Sequence, residues 1–226
     1  MNPAEASVAD KRPAGNGAGA AGASGDAAGE PERALAGGKA QRIIDAMRSS
    51  VARRGSAGST FDHVSREAGV SRGLLHYYFG TKEQLLVEAV RRDGELRLAR
   101  LEEQLSTAKT ADDFIDLMAQ SLQETVRDDP EFVILAFELF TLARRNDDIA
   151  QEYTELLRRT REQLAGMLAA ADKEGVLRLH AEPEAVAEIL FSLADGFALR
   201  MLSEPERDFA STLSAGILCA RALLTD

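Results

Sequence analysis

From Lys39 onward apolar residues recur every three or four positions, and no stretch alternates as a half-buried strand requires. Caps and breakers divide the pattern into about nine helical segments. A first helix over about 39–54 turns Ile43, Ile44, Met47 and Val51 inward and stops before Gly55, with a loop at 55–58. Ser59 and Thr60 can cap a short helix from Phe61, whose inward positions are Phe61, Val64, Ser65 and Ala68. Gly69 ends it, Ser71 caps a second short helix over about 72–79, and Gly80 stops that one. Thr81 opens a long helix, with Gln84 three residues later placed to complete a capping box.

Further helices are predicted over about 111–127, 130–145, 148–174, 183–203 and 206–224, with Pro130 and Pro183 in first turns, where proline is tolerated. The 183–203 helix is apolar on nearly every side, which suits burial on two faces. The last helix carries a stripe of Phe209, Leu213, Ile217, Ala220 and Leu224. The first 38 residues differ in kind: 12 Ala and 8 Gly leave too little apolar surface to offset ordering entropy, which predicts a disordered tail. A GxGxxG match at 17–22 has no strand before it and no amphipathic helix after it, and reads as Gly-rich linker.

Two short helices joined by a three-residue turn, over about 60–79, have helix-turn-helix spacing. Ser65 supplies a small residue at the crossing, Gly69 a position for positive φ, and Val64, Ala68, Val70, Leu75 and Tyr78 the wedge between the helices. The outward face of the second helix is then Arg72, Gly73, Leu74, His76 and Tyr77, residue types that read base edges and grip phosphates. Net charge first argues against this: 27 Lys and Arg against 37 Asp and Glu give −10. Its distribution reverses the objection, because residues 39–92 hold ten basic and five acidic residues, a net of +5, and the acidity lies elsewhere.

The run from Lys39 to about Val90 resembles the DNA-binding domain of the TetR family of bacterial transcriptional regulators. Ile43-Ile44-Asp45-Ala46 and Gly55 are similar to the family's first helix and its end, Ser59-Thr60-Phe61 to the start of its second, and Ala68-Gly69-Val70-Ser71 to its turn. Leu75-His76-Tyr77-Tyr78-Phe79 followed by Thr81-Lys82-Glu83-Gln84-Leu85-Leu86 resembles the recognition helix and the start of helix four. The resemblance implies an all-α protein: a tail over 1–38, a helix-turn-helix domain over 39–97, and a C-terminal bundle over 98–226 for ligand binding and dimerisation. It implies that Thr60, Tyr77, Tyr78 and Lys82 touch phosphates, that Arg72, Gly73 and Leu74 face bases, and that Ser71 belongs to the same interface. Ser50, Val51 and Ser56 stand where the family usually has leucine, phenylalanine and an aromatic residue, which predicts a less tightly packed first helix. His76 replaces a usual tyrosine, so its phosphate contact would depend on pH.

The C-terminal residues admit a plain core or a small-molecule pocket, and the resemblance implies that Phe114, Leu117, Met118, Phe137, Phe140, Tyr153 and Phe191 supply some of its lining. Glu138, Asp195 and Arg200 lie on apolar helices, to orient a ligand or to form buried pairs. One recognition helix reads few base pairs, so a homodimer on a palindromic operator is expected, with Leu190, Phe197, Met201, Leu213, Ile217 and Ala220 as interface candidates. The partners implied are a double-stranded DNA operator, a second copy and a small-molecule inducer that releases a repressor. The alternative is a regulator of the same fold controlled by a protein or by no ligand. No cofactor, metal or catalytic set is expected: His63 and His180 lack neighbours at ligand spacing, and Cys219, the single cysteine, reads as packing rather than as a redox sensor. The longest apolar run, Phe132 to Phe137, is six residues, far short of the about 20 that span a membrane, so a cytoplasmic location is expected.

Overall fold

A computed structural model describes residues 38–225; of the tail expected over 1–38, Gly38 is the first residue of a helix, and the rest, with its glycine motif, lies outside the described residues. The elements are α1 (Gly38–Gly58), α2 (Phe61–Ala68), α3 (Arg72–Phe79), α4 (Lys82–Leu105), α5 (Ala111–Asp128), α6 (Pro130–Ala143), α7 (Asp147–Lys173), α8 (Pro183–Ser203) and α9 (Ala210–Leu224). Among the described residues there is no strand, and no helix is long and apolar enough to cross a membrane.

The glycines and hydroxyl caps act largely where the pattern places them. Thr60, Ser71 and Thr81 each accept a backbone N–H from three residues on. The reciprocal half of the box at Thr81 does not form, because Gln84 Nε2 donates across to Glu152 Oε1 on α7 at 2.7 Å. A complete box sits instead at Thr110 and Asp113, at the start of α5. The expected loop at 55–58 is a last helical turn beyond a kink at Gly55, whose φ of 68° favours glycine. The final helix begins later than expected, at Ala210, whose N–H is taken by Asp208 Oδ1 at 2.8 Å.

The expectation of a loosely packed first helix is corrected. Ser50 and Val51 are almost fully buried. Ser50 donates to Ser59 Oγ at 3.0 Å, and Ser59 donates to Gly55 O at 2.9 Å, so a short buried hydroxyl chain ties α1 to the segment after its kink.

Three clusters form the core. The first joins Ile43, Ile44 and Met47 of α1, Val64 of α2, Leu75 of α3 and Leu85, Leu86 and Val90 of α4 with Leu135 and Leu139 of α6 and Ile149 of α7. The core of the N-terminal helices is thus completed by residues about 50 to 100 positions further along. The second cluster packs α5, α7, α8 and α9 around Phe114, Leu164, Leu168 and Val186. A small third one joins Val126, Val133 and Ala198.

Candidate nucleic-acid interface and ligand cavity

Helix α2 ends in a closed turn. Gly69 adopts φ 67°, ψ 38°; its N–H reaches Arg66 O, and the N–H of Val70 reaches Ser65 O at 3.0 Å. This aims α3 across α2, with Val64, Ala68 and Leu75 buried between them and Val70 and Tyr78 packed at the edge. Arg72, Gly73, His76 and Tyr77 remain exposed, Tyr77 at 73%, and Leu74 is half-buried. Thr60 and Ser71 are exposed, and each cap uses a hydroxyl lone pair, leaving its proton available to an outside acceptor.

His76 is occupied within the fold. Arg72 Nε donates to its Nε2 at 3.3 Å, its Nδ1 faces Gly80 O at 3.2 Å, and its ring stands edge-on to Phe61 at 4.7 Å. These partners assign the proton to Nδ1. Arg72 also reaches Asp62 at 3.3 Å, an exposed pair that holds it weakly. Lys82, expected to face phosphate, donates to Ser56 O at 3.0 Å. Glu138, expected in the pocket, accepts from Ser56 Oγ at 2.6 Å and Ser56 N at 3.2 Å. Glu138 therefore belongs to the α1–α6 contact, because it projects from the face of α6 shared with Leu135 and Leu139.

Helices α4 to α8 enclose a cavity of about 270 Å³. Met118, Phe137, Tyr153, Phe191 and Asp195 line it, as the pocket reading expected, together with Phe132, Val133, Leu98 and Leu101. Phe114 is instead fully buried in the second cluster, and Leu117 packs against that cluster. Phe140 is 48% exposed and tilts toward Tyr153 at 6.3 Å. Arg200 lies at the surface beside Glu204, 3.7 Å away.

The cavity's polar end is a charge network missed in the sequence. Asp129 caps α6, pairs with Arg48 of α1, and pairs with Arg97 of α4. Arg97 also donates to Thr125 Oγ1 at 3.4 Å and lies over the Phe132 ring at 4.3 Å. Asp93 is buried 3.0 Å from Arg48 Nε, and burial, opposed by Arg48 and Arg97, pushes its carboxyl above the usual range. The Asp93-x-x-x-Arg97 spacing on an otherwise apolar helical stripe was the available signal.

All six interface candidates turn toward their own protomer. Leu190 and Ala220 are buried, Ile217 packs against the second cluster, Met201 against the third, Leu213 lines a crevice between α5, α8 and α9, and the Phe197 ring lies over Gly216. Most of the large apolar residues of these two helices are used inside the fold, and the outward stripe mixes Ile189, Leu199 and Leu218 with the small residues Ala185 and Gly196 of α8 and Ser211, Ala215 and Ala222 of α9. Cys219, read as packing, is exposed on α9. No group of three or more His, Cys, Asp and Glu among the described residues is placed to hold a metal ion.

Residues 43–89 match the family described as bacterial regulatory proteins, tetR family, and residues 111–215 the BetI-type transcriptional repressor C-terminal family. The HTH-type transcriptional regulator BetI of Agrobacterium fabrum is 45% identical over 49 residues, 22% of this chain and 24% of that protein. The BetI regulator of Rhizobium meliloti is 27% identical over 163 residues, covering 70% of this chain and 75% of the relative. The fold is similar to that of the transcriptional regulator FadR from Bacillus subtilis, solved in complex with stearoyl-CoA, with a TM-score of 0.66 and 22% identity over 79% of this chain and 95% of that one.

Proposed function

The chain belongs to the TetR family of bacterial regulatory proteins, and from that premise we propose that it is a cytoplasmic repressor that binds a palindromic operator as a homodimer and leaves it when a small molecule fills the α4–α8 cavity. The reading rests chiefly on the exposed face of α3, where Arg72, Gly73 and Tyr77 project from a helix whose two ends are fixed by Ser71 and Gly80. Such a helix in the major groove meets guanine through a bidentate arginine, lets backbone approach at glycine, and reaches phosphate through tyrosine. Thr60 and Ser71 supply flanking hydroxyls, and Lys82 can exchange Ser56 O for a phosphate oxygen.

The outward stripes of α8 and α9 would pair across a twofold axis as a four-helix bundle, setting two α3 helices about 34–36 Å apart, the spacing of successive major grooves. Helix α4 connects the two ends of the device, with Lys82 at its start and Arg97, Leu98 and Leu101 in the cavity wall. A ligand that fits the cavity better in one setting of α4 shifts the balance by its differential affinity, about 1–3 kcal/mol in typical couplings.

Selection from random duplexes, followed by fluorescence anisotropy, tests the DNA reading. A palindromic consensus is expected, with affinity falling steeply between about 50 and 200 mM salt. Unchanged affinity in both Arg72→Ala and Tyr77→Ala would overturn it. A thermal-shift screen tests the sensor reading: an inducer raises Tm and weakens duplex binding, whereas stabilisers that never affect DNA point to a regulator without ligand control.

A further inference from the structure

Beside the exposed face of α3 stands a carboxylate, although a surface that meets phosphate gains from positive charge and loses by negative. It belongs to Asp62, two residues after Thr60 in the first turn of α2, where the helix dipole favours an acid. Capping is done by other groups: the Thr60 hydroxyl accepts from His63 N, and Ser65 and Arg66 reach only the backbone carbonyl of Asp62. The Asp62 carboxylate is left to Arg72, whose Nη1 donates to Oδ1 at 3.3 Å and lies 3.5 Å from Oδ2. Glu67, the other acid of α2, is paired with Arg53 of α1 at 2.6 Å.

A second group holds the same guanidinium. His76, one turn along α3, accepts from Arg72 Nε at 3.3 Å through Nε2. The imidazole is itself held on two sides, by Gly80 O at 3.2 Å from Nδ1 and by the buried Phe61 ring, edge-on at 4.7 Å. Nε and Nη1 of Arg72 are therefore engaged, one from α3 and one from α2, and Nη2 with both its protons makes no contact among the described residues. These contacts are exposed and add little to folding stability. What they restrict is direction. A free arginine turns to a nearby phosphate oxygen on any sequence, whereas one held in plane presents its remaining donors to one place and loses less freedom on docking.

We propose that Asp62 and His76 are positioning residues for base recognition, which hold the Arg72 guanidinium so that it reads a base edge and is withheld from phosphate. This rests on the reading of α3 as the helix that meets the bases. The carboxylate carries a second effect: it repels phosphate that approaches Arg72 out of register, so Asp62 lowers affinity for unrelated sequence while it raises discrimination.

Fluorescence anisotropy on the full chain tests this with three duplexes: the selected one, the same duplex changed at the base pair where Arg72→Ala loses preference, and an unrelated one. Asp62→Ala and His76→Phe, the latter keeping a ring against Phe61, should each lose about fivefold of the discrimination between the first two. Asp62→Asn and His76→Gln, which keep an acceptor for Arg72, should each recover part of that loss. Asp62→Ala and Asp62→Asn should both bind the unrelated duplex about twofold more tightly, with Tm moved by no more than about 3 °C. In an Arg72→Ala background, Asp62→Ala should leave discrimination as it is, because it acts through Arg72. Full discrimination in both Asp62→Ala and His76→Phe, an equal loss with and without Arg72, or a parallel fall in affinity for all three duplexes would each overturn the proposal. If the chain selects no duplex, or Arg72→Ala costs preference at no position, the reading of α3 falls and takes this one with it. Preference lost in Arg72→Ala but kept in Asp62→Ala and His76→Phe counts against the positioning alone.

Discussion

Helices α3 and α8 both turn chemically important side chains outward, and opposite means hold them in place. The groups that aim and cap α3 lie close to it in sequence: Gly69 sets its direction, Ser71 caps its start, the N–H of Gly80 closes its end on His76 O, and Arg72 meets His76 one turn away. Helix α8 has no side-chain cap at its start. It is fixed by Arg161 on α7, by Val126 and Val133 beside Ala198, and by Gly216 beneath Phe197. A locally capped helix keeps its direction and its exposed face as long as the core that it shares with α6 and α7 stays intact. A helix determined from a distance can shift when the cavity beside it fills, which is what a sensor requires.

The largest expected effect separates the two modes of support. Asp129→Ala removes a helix cap and leaves Arg48 and Arg97 without their shared partner in partly buried surroundings, and should cost about 3 kcal/mol by urea denaturation. Arg72→Ala comes next: about 2 kcal/mol of affinity for a selected duplex, with relaxed preference at one base position and unchanged Tm. Ser71→Ala should lower stability by about 1 kcal/mol through lost capping, readable as a lower urea midpoint with the slope unchanged. The smallest effect concerns Asp195→Asn. The folded state holds this carboxyl above its unfolded pKa, so ionisation disfavours folding, and the cost is absent at pH below the unfolded value and complete above the folded one. The variant should match the native Tm in strong acid and exceed it slightly at pH 7; a deficit at pH 7 would mean that Asp195 has a partner.

The same contrast explains how much was legible. Helix positions followed from hydroxyl caps, glycines and first-turn prolines, all local signals, and the buried wedge Val64, Ala68 and Leu75 followed from spacing. The exposure of Arg72, Gly73, His76 and Tyr77 on α3 was legible for the same reason. Errors arose where a side chain's partner lies far along the chain. Glu138 looked like a polar pocket residue, and only the approach of α6 to α1 gives it to Ser56. Phe114 looked like lining, and the second cluster claims it. Leu190 and Ala220 looked like interface because large apolar stripes suggest docking, yet packing within the protomer uses them and leaves a less conspicuous stripe, rich in small residues, outside. Gln84 had capping spacing, but Glu152 on α7 offered its amide a partner.

Helix α6 shows one face to Met47 and Leu85 through Leu135 and Leu139, and the other to the cavity through Phe132, Val133, Ala136 and Phe137. This limits the modularity of the protein. A chimera joined within α4, at residue 97, would transplant the reading helices without the side chains that complete their core and would leave Leu135, Leu139 and Ile149 against a foreign surface. To exchange operator specificity, the graft must carry the inward face of α6, or be confined to the outward residues of α3. Conversely, one wall of the cavity can be changed through the opposite face of α6, four residues of one helix, with the core around Leu135 and Leu139 left as it is.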